Sequence, residues 1–169
     1  ALPLISCTRY AIMKLSYFIV TEATVPELQA TDRNGVIREM VSTLASCIDL
    51  TEEEAAAVSK AVIQRENQGS TGFGKGVAVP HVKHPAVKRI AAAIARSSTG
   101  VDFAALDRAP VYIVVLLLSP PDNPDQHLAS MENIFRHLQR DTFRRFLRQA
   151  STKEEIVDLI KEADELPGG

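Results

Sequence analysis

The sequence predicts a single α/β domain in which a mixed β-sheet is flanked by helices on both faces. Residues 111–118 are eight consecutive apolar residues rich in β-branched types, typical of a strand buried on both faces. Amphipathic helical patterns lie before and after this run, and no internal repeat or low-complexity linker divides the chain. The length of 169 residues suits one domain, which at this size buries about 70% of its unfolded surface. We therefore expect residues 111–118 to form the centre of the sheet.

Two amphipathic helices are predicted in the first half of the chain. The first covers residues 33–48, where apolar residues recur at helical spacing: Ile37, Met40, Val41, Leu44 and Ile48. Thr51 and Glu54 form a capping box that opens the second helix, which runs to about Asn67. This register places Arg65 near the C-terminal end of the second helix.

Short strands are predicted between these helices and the central strand. Residues 77–79 are a brief apolar run, and Pro80 is expected to end it because proline cannot donate to a β-ladder. Apolar residues alternate at Ile90, Ala92 and Ile94, which predicts a further strand over 89–95.

Three helices are predicted after the central strand. The first begins near His127, and its apolar positions are Leu128, Met131, Ile134, Phe135 and Leu138. Asp141 and Ser151 are expected to be the N-caps of two shorter helices, Ser151 with Glu154 as its capping box. Residues 166–169 are expected to be a frayed tail.

Composition limits the classes of function. Hydrophobic residues make up 46% and charged residues 24% of the chain, which is ordinary for a soluble globular protein. The formal net charge of −2 argues against nucleic acid as the main partner. No apolar run reaches the roughly 18 residues that a membrane span needs, so direct membrane insertion is not expected. Cys7 and Cys47 show neither metal-ligand spacing nor a disulfide framework, and we expect a cytoplasmic protein.

The N-terminal 20 residues are apolar enough to raise the question of a signal peptide. Arg9 and Lys14 are scattered through this stretch, and no small-x-small cleavage site follows it. We therefore interpret residues 1–12 as an N-terminal extension and residues 13–165 as the domain.

Residues 69–81, GSTGFGKGVAVPH, are the most informative segment for function. Four glycines within eight positions indicate a chain shaped to approach another group closely. Gly69, Gly74 and Lys75 satisfy G-x-x-x-x-G-K, but a phosphate-binding loop also needs Ser or Thr next, a strand before and a helix after. Gly76 follows the lysine and the flanking patterns are reversed, so this interpretation fails. A glycine-rich surface loop with an incidental His81 and a loop that presents His81 as a nucleophile both remain.

A family resemblance favours the nucleophile. Arg65-Glu66 is followed by Gly69-Ser70-Thr71-Gly72 and then by Val-Ala-Val-Pro-His at 77–81. This order resembles the active-site signature of the mannitol/fructose-type (type 2) enzyme IIA domains of the bacterial phosphotransferase system, including their nitrogen-regulatory branch. The resemblance continues through His127-Leu128 and covers roughly residues 13–165. It implies a mixed sheet flanked by helices.

The resemblance also implies a site. His81 would take a phosphoryl group, with Arg65 and His127 beside it. An imidazole with a pKa near 6.5 is a good nucleophile at neutral pH, and a guanidinium matches phosphate geometry in a bidentate way. His127 would donate a hydrogen bond to the phosphorylated ring or to the transferred group. The glycine loop would help to hold the phosphate through Ser70, Thr71 and Gly72.

Partners follow from the same resemblance. The donor would be the small histidine-containing phosphocarrier protein, and the acceptor would be a cysteine of an enzyme IIB domain in a sugar permease. No cofactor is required in the domain itself. One alternative is a regulatory protein of the nitrogen type, whose phosphorylation state controls effector proteins without sugar transport. A second alternative is a non-catalytic ligand-binding domain whose site has decayed.

The remaining histidines are assigned no chemistry. His84 forms an H-x-x-H pair with His81, but no cysteine or carboxylate completes a metal site, and none is expected. His137 lies among five arginines and is interpreted as part of a solvated face, although such a cluster could also meet an acidic partner. Two segments depart from the family pattern: 82–85 lacks the expected glycine, and 120–126 is rich in proline.

Overall fold

The central strand lies where the sequence predicts it. The structure, a computed structural model, describes residues 13–166, so the predicted extension at 1–12 and positions 167–169 of the predicted tail lie outside the described residues. The apolar run forms strand β5, Val111–Ser119, in which every residue except Tyr112 is buried. Burial on both faces explains why almost every position of this strand is apolar.

In the described part of the chain, four other strands complete a mixed sheet. They are β1 (Gly72–Gly74), β2 (Val77–Ala78), β3 (His81–Lys83) and β4 (Ala91–Val101). Strand β4 runs antiparallel to β5 along one edge. Strands β2 and β3 both run parallel to β5 and lie end to end along its other edge, while β1 pairs antiparallel with β2. The predicted class of mixed sheet is confirmed.

The short strand before Pro80 ends as predicted, because β2 is Val77–Ala78, but pairing along this edge of the sheet continues after the proline. The carbonyl of Pro80 still accepts a hydrogen bond from Leu117 N at 3.0 Å. Proline lacks only the donor, so parallel pairing with β5 resumes one residue later. His81 lies past the end of β2 and is the first residue of β3, opposite Leu117, so it belongs to the sheet and not to a loop.

Helices cover both faces of the sheet, as predicted. The α-helices within residues 13–166 are α1 (Leu15–Phe18), α2 (Arg33–Ala45), α3 (Glu52–Gln68), α4 (Pro124–Leu138), α5 (Asp141–Gln149) and α6 (Lys153–Glu165). Helices α2 and α3 pack with alternate β5 residues in one hydrophobic cluster, which includes Leu116. Helices α1, α4, α5 and α6 pack with the other residues of β5, including Leu117, in a second cluster.

Helix boundaries depart from the predictions by one to three residues. Helix α2 ends at Ala45 rather than 48. The capping box of Thr51 and Glu54 at the start of α3 is confirmed. Helix α4 begins three residues before His127, because Asn123 caps it and Pro124 suits the first helical position.

The predicted caps of the last two helices are each wrong by one residue. Asp141 is the first residue of α5, and its carboxylate accepts from Arg144 instead of capping the helix. The N-cap of α6 is Thr152, whose hydroxyl accepts from Glu155 N. This register directs the buried side chains of α6 into the second cluster: Ile156, Ile160 and Ala163.

Candidate functional site

The end of α3 is tied to the glycine loop by two adjacent charged residues. Arg65 Nη1 donates to Gly69 O at 2.9 Å. Glu66 is only 2% exposed, and its carboxylate accepts from Thr71 N at 3.1 Å and from the Thr71 hydroxyl. A buried carboxylate needs such donors because an unpaired one would be costly. Glu66 therefore fixes the path of the loop, a role that the sequence pattern does not indicate.

The remaining loop residues are also bonded within the protein. Ser70 Oγ donates to Phe103 O at 2.7 Å and accepts from Gly72 N at 2.9 Å. A Cβ at Gly72 would lie 2.9 Å from the Cβ of Ala105, so this close approach requires glycine. The hydroxyls of Ser70 and Thr71 thus shape the loop, and direct phosphate support by Ser70, Thr71 and Gly72 stays a prediction.

Only one ring nitrogen of His81 makes a hydrogen bond within residues 13–166. Its Nδ1 lies 2.8 Å from Val79 O, and because a carbonyl can only accept, Nδ1 carries the proton. The lone pair is then on Nε2. Burial lowers the pKa of His81, as do the charges of Arg65 and Lys83, against the opposing effects of the Val79 bond and Glu66. His81 is therefore a neutral imidazole at neutral pH, with Nε2 as its nucleophilic atom.

His127 lies beside His81. The two ring centroids are 5.5 Å apart with an interplanar angle of 48°. His127 is in the first turn of α4 and is 8% exposed, and its Nδ1 lies 2.6 Å from Ser119 Oγ at the end of β5. Burial lowers the pKa of His127 to about 4, and the charges of His81 and Lys83 contribute to the shift. A second neutral imidazole therefore faces the first.

The register of the sheet explains why these groups meet. Paired residues of parallel strands project to the same face, so His81 shares the face of Leu117. Ser119 is two residues beyond Leu117 and projects to that face as well. Helix α4 covers this face and supplies His127. The structure thus brings His81 and His127 together, with Arg65 close enough for its charge to lower the pKa of His81.

Two other histidines serve the fold. His84 Nδ1 accepts from Ala86 N at 3.1 Å, and its backbone accepts from Val87 N, which shapes the turn that lacks the expected glycine. His137 is buried, at 6% exposure, and packs against Phe143, so the prediction of a solvated His137 is wrong. His137 lies on the inner face of α4. The sequence does not reveal this position, because the arginines around His137 suggest an exposed segment. Arg145 and Arg148 are exposed on α5, as predicted.

Several apolar side chains of β1 and α4 are not fully buried. Leu128, next to His127, lies in α4 as its spacing predicts, and it is 59% exposed. Phe73 and Phe135 are partly buried and stack edge to face, with ring centroids 5.0 Å apart. The exposed Leu128 next to His127 is apolar surface that would suit contact with another protein.

None of the helices within residues 13–166 has the length and apolar character that crossing a bilayer would require.

Comparison with known proteins identifies the family. The family model for the EIIA 2 component of the phosphoenolpyruvate-dependent sugar phosphotransferase system matches residues 18–163. The chain is 30% identical over 152 residues to the fructose-specific EIIABC component of Bacillus subtilis, a match that covers 90% of this chain and 24% of that protein. It is 30% identical over 148 residues to a nitrogen regulatory protein of Bradyrhizobium diazoefficiens, covering 88% of this chain and 95% of the relative. The chain thus spans about a quarter of the first relative and nearly all of the second.

Solved structures agree with this assignment. The nitrogen regulatory protein IIA-Ntr from Neisseria meningitidis has a TM-score of 0.78 at 27% identity, covering 86% of this chain and 98% of that one. Enzyme IIAMtl from Escherichia coli, solved in complex with phosphorylated enzyme IIBMtl, has a TM-score of 0.68 at 16% identity, covering 83% and 95%. This second likeness shows the fold alone. The chain belongs to the EIIA 2 family of the phosphoenolpyruvate-dependent sugar phosphotransferase system.

Proposed function

We propose that the protein is a phosphohistidine carrier, in which Nε2 of His81 receives a phosphoryl group and passes it on. The observation that carries this proposal is the bond from His81 Nδ1 to Val79 O at 2.8 Å. It leaves Nε2 as the only ring nitrogen with a free lone pair, on a partly exposed residue. A reversible carrier needs such a nucleophile, fixed in direction and neutral at working pH.

The bonds and electron pairs of the proposed phosphoryl transfer balance without a cofactor. The lone pair of His81 Nε2 forms a new N–P bond while the N–P bond of a phosphohistidine donor breaks, and that electron pair stays on the donor nitrogen. The Nδ1 proton of His81 stays on the ring throughout and keeps its bond to Val79 O. In the onward step, a cysteine thiolate attacks phosphorus, the P–S bond forms, and the electron pair returns to Nε2.

Arg65 and His127 would stabilise the transferred group. In the transition state of phosphoryl transfer, the negative charge is spread over three equatorial oxygens. Positioning and electrostatic stabilisation therefore dominate the catalysis. Arg65 is near enough to lower the pKa of His81, and a guanidinium is suited to pair with phosphate oxygens. His127, 5.5 Å away between ring centroids, would donate a hydrogen bond.

The proposed donor is the small histidine-containing phosphocarrier protein, and the proposed acceptor is an enzyme IIB domain, both in the cytoplasm. The solved complex of a fold neighbour with phosphorylated enzyme IIBMtl supports an acceptor of this type. The exposed Leu128 beside His127 suits transient docking by such partners. Interfaces of this kind bury about 1,200 Å² or less.

A regulatory role is the second candidate. It is favoured by the likeness to nitrogen regulatory proteins in both sequence and structure, at 30% and 27% identity. In this role His81 is phosphorylated as before, but the added negative charge changes which effector protein binds. The non-catalytic alternative is less well supported, because it gives no reason for two adjacent neutral imidazoles.

Phosphotransfer to the His81→Gln variant tests the carrier proposal. We expect incubation with the radiolabelled phospho-form of the phosphocarrier protein to label the unmodified chain stoichiometrically and His81→Gln only at background. His84→Gln is the matched control, because it removes a nearby imidazole that serves only the turn, and it should label fully. Undiminished labelling of His81→Gln would refute the proposal.

A second measurement separates transport from regulation. In one experiment, the labelled protein is mixed with an enzyme IIB domain. In another, the phosphorylated and unphosphorylated forms of the protein are compared for the other proteins that each form retains. Onward transfer to the IIB cysteine supports sugar uptake. Retention of an effector by one form alone, without onward transfer, supports the regulatory role.

A further inference from the structure

Ser119 is a polar residue at the C-terminal end of the central strand β5. It closes β5, whose other residues are apolar apart from the partly buried Tyr112. Ser119 is 0% exposed, and its Oγ lies 2.6 Å from His127 Nδ1. A buried hydroxyl next to a buried imidazole at this distance is a strong hydrogen bond, and its direction decides what the imidazole can do.

The direction follows from counting donors and acceptors. If Nδ1 carried the proton, it would donate to Ser119 Oγ, and the hydroxyl proton would then need another acceptor. Within residues 13–166, Ser119 Oγ makes no other hydrogen bond. Buried hydroxyl groups are rarely left without an acceptor. The hydroxyl must therefore donate to Nδ1, which places the proton of the neutral ring on Nε2.

We propose that Ser119 is a positioning residue that holds His127 in the neutral tautomer protonated on Nε2, so that His127 is a hydrogen-bond donor to the phosphoryl group on His81. The tautomer itself follows from the contacts of the unmodified protein. Its use as a donor rests on the proposed carrier function.

The surroundings of His127 are consistent with this role. His127 is nearly buried, and its depressed pKa keeps the ring neutral at physiological pH. Its Nε2 makes no hydrogen bond to any residue in the described part of the chain, and it is not among the buried atoms that lack a partner. A neutral ring with a free N–H can bind a phosphoryl oxygen without first giving up another partner. A ring protonated on Nδ1 would present a lone pair to that oxygen and repel it.

Nitrogen NMR of the unphosphorylated protein tests the tautomer directly. With ¹⁵N-labelled histidine at pH 7, we expect His127 Nε2 to have the shift of a protonated nitrogen and Nδ1 that of an unprotonated one. In Ser119→Ala, we expect the Nδ1 shift to move toward that of an unbonded acceptor. A proton on Nδ1 in the unmodified protein would overturn the proposal, whether or not His81 is ever phosphorylated.

The functional consequence is tested by transfer rates. We expect Ser119→Ala to slow phosphoryl transfer to His81 by about tenfold, as removing a partner that orients a functional side chain commonly does. Ser119→Thr, which keeps the hydroxyl, should recover most of the rate. In a His127→Gln background, Ser119→Ala should have no further effect, because the group it positions is gone.

Ser130→Ala is the matched control. Ser130 is also 0% exposed, lies in α4 one turn from His127, and donates to Gln126 O rather than to a histidine. Its replacement should leave the His127 shifts and the transfer rate unchanged. An equal slowing by Ser130→Ala, or an unchanged rate and Nδ1 shift in Ser119→Ala, would show that Ser119 does not act through His127.

Discussion

Burial is the main cause of the lowered pKa of both His81 and His127, but different groups hold their Nδ1 atoms, and this difference suits the two rings to different tasks. His81 is partly exposed, and its Nδ1 is held by a backbone carbonyl, so Nε2 is free to attack. His127 is nearly buried and held by a serine hydroxyl. A carbonyl can only accept, whereas a hydroxyl with no other acceptor must donate, so the two contacts fix opposite tautomers. In the proposed function, His81 would accept the phosphoryl group and His127 would donate a hydrogen bond to it.

The depressed pKa of His127 predicts a stability that depends on pH. Folding lowers the pKa of this ring from an ordinary 6.5 to about 4, so the unfolded chain binds the proton first as the pH falls. The free energy of unfolding therefore falls as the pH is lowered from about 6.5 to about 4. His127 accounts for at most about 3 kcal/mol of this loss, and it causes no further loss below about pH 4. His127→Gln removes this component. The difference in unfolding free energy between the unmodified protein and the variant should shrink from pH 7 to pH 4, as measured by urea titrations. A constant difference would contradict it.

Single functional residues can be predicted from the sequence when they belong to a motif. Residues whose partners are distant in the chain cannot be recognised in this way. The motif and the resemblance built on it identify Arg65, His81 and His127. Glu66 belongs to the same motif, but the motif does not reveal its role in holding the loop, and Ser119 lies outside any pattern that relates it to His127. A hydroxyl directly after eight apolar residues, as at Ser119, is itself a signal. Its significance depends on which helix covers that end of the strand.

Elements are predicted well in kind and less well at their ends, because end positions depend on burial as much as on local chemistry. Two overlapping patterns precede α6: Ser151 with Glu154, and Thr152 with Glu155. Both satisfy the capping-box spacing. The structure uses Thr152, since that register buries Ile156 and its partners. The sequence alone offers no means of choosing between the two.

This choice of cap predicts unequal effects of two neighbouring substitutions. Thr152→Ala removes the hydroxyl that accepts from Glu155 N and should lower the free energy of unfolding by about 1 kcal/mol. Ser151→Ala should change it by less than about 0.5 kcal/mol, because only the backbone amide of Ser151 is bonded, to Glu155. Denaturant titrations of both variants measure the difference. Equal losses, or a larger loss for Ser151→Ala, would favour the cap predicted from sequence.

For the whole molecule, one strand links the two hydrophobic clusters to the site. Strand β5 gives alternate side chains to each cluster and ends at Ser119. His81 and Ser119 lie in the parallel pair β3 and β5, toward the carboxyl end of β5. Open α/β sheets commonly bind their ligands at the carboxyl ends of the strands. The apolar run predicts this centre. The end-to-end placement of β2 and β3 is not predictable from local pattern, because it depends on pairing with a strand more than 30 residues later in the chain.

Because the clusters lie on opposite faces, core substitutions in adjacent residues should affect the site differently. Leu116 and Leu117 are both 0% exposed, and each replacement by Ala should lower the free energy of unfolding by about 3 kcal/mol. Leu117 packs on the face covered by α4 and lies opposite His81, so Leu117→Ala should also shift the ring resonances of His127 and slow phosphoryl transfer. Leu116→Ala faces α2 and α3 and should leave both nearly unchanged at temperatures where the variant is folded. Urea titration and histidine NMR on the same two samples separate stability from site geometry. If Leu116→Ala perturbed His127 as much as Leu117→Ala, the two faces would be coupled more tightly than the packing indicates.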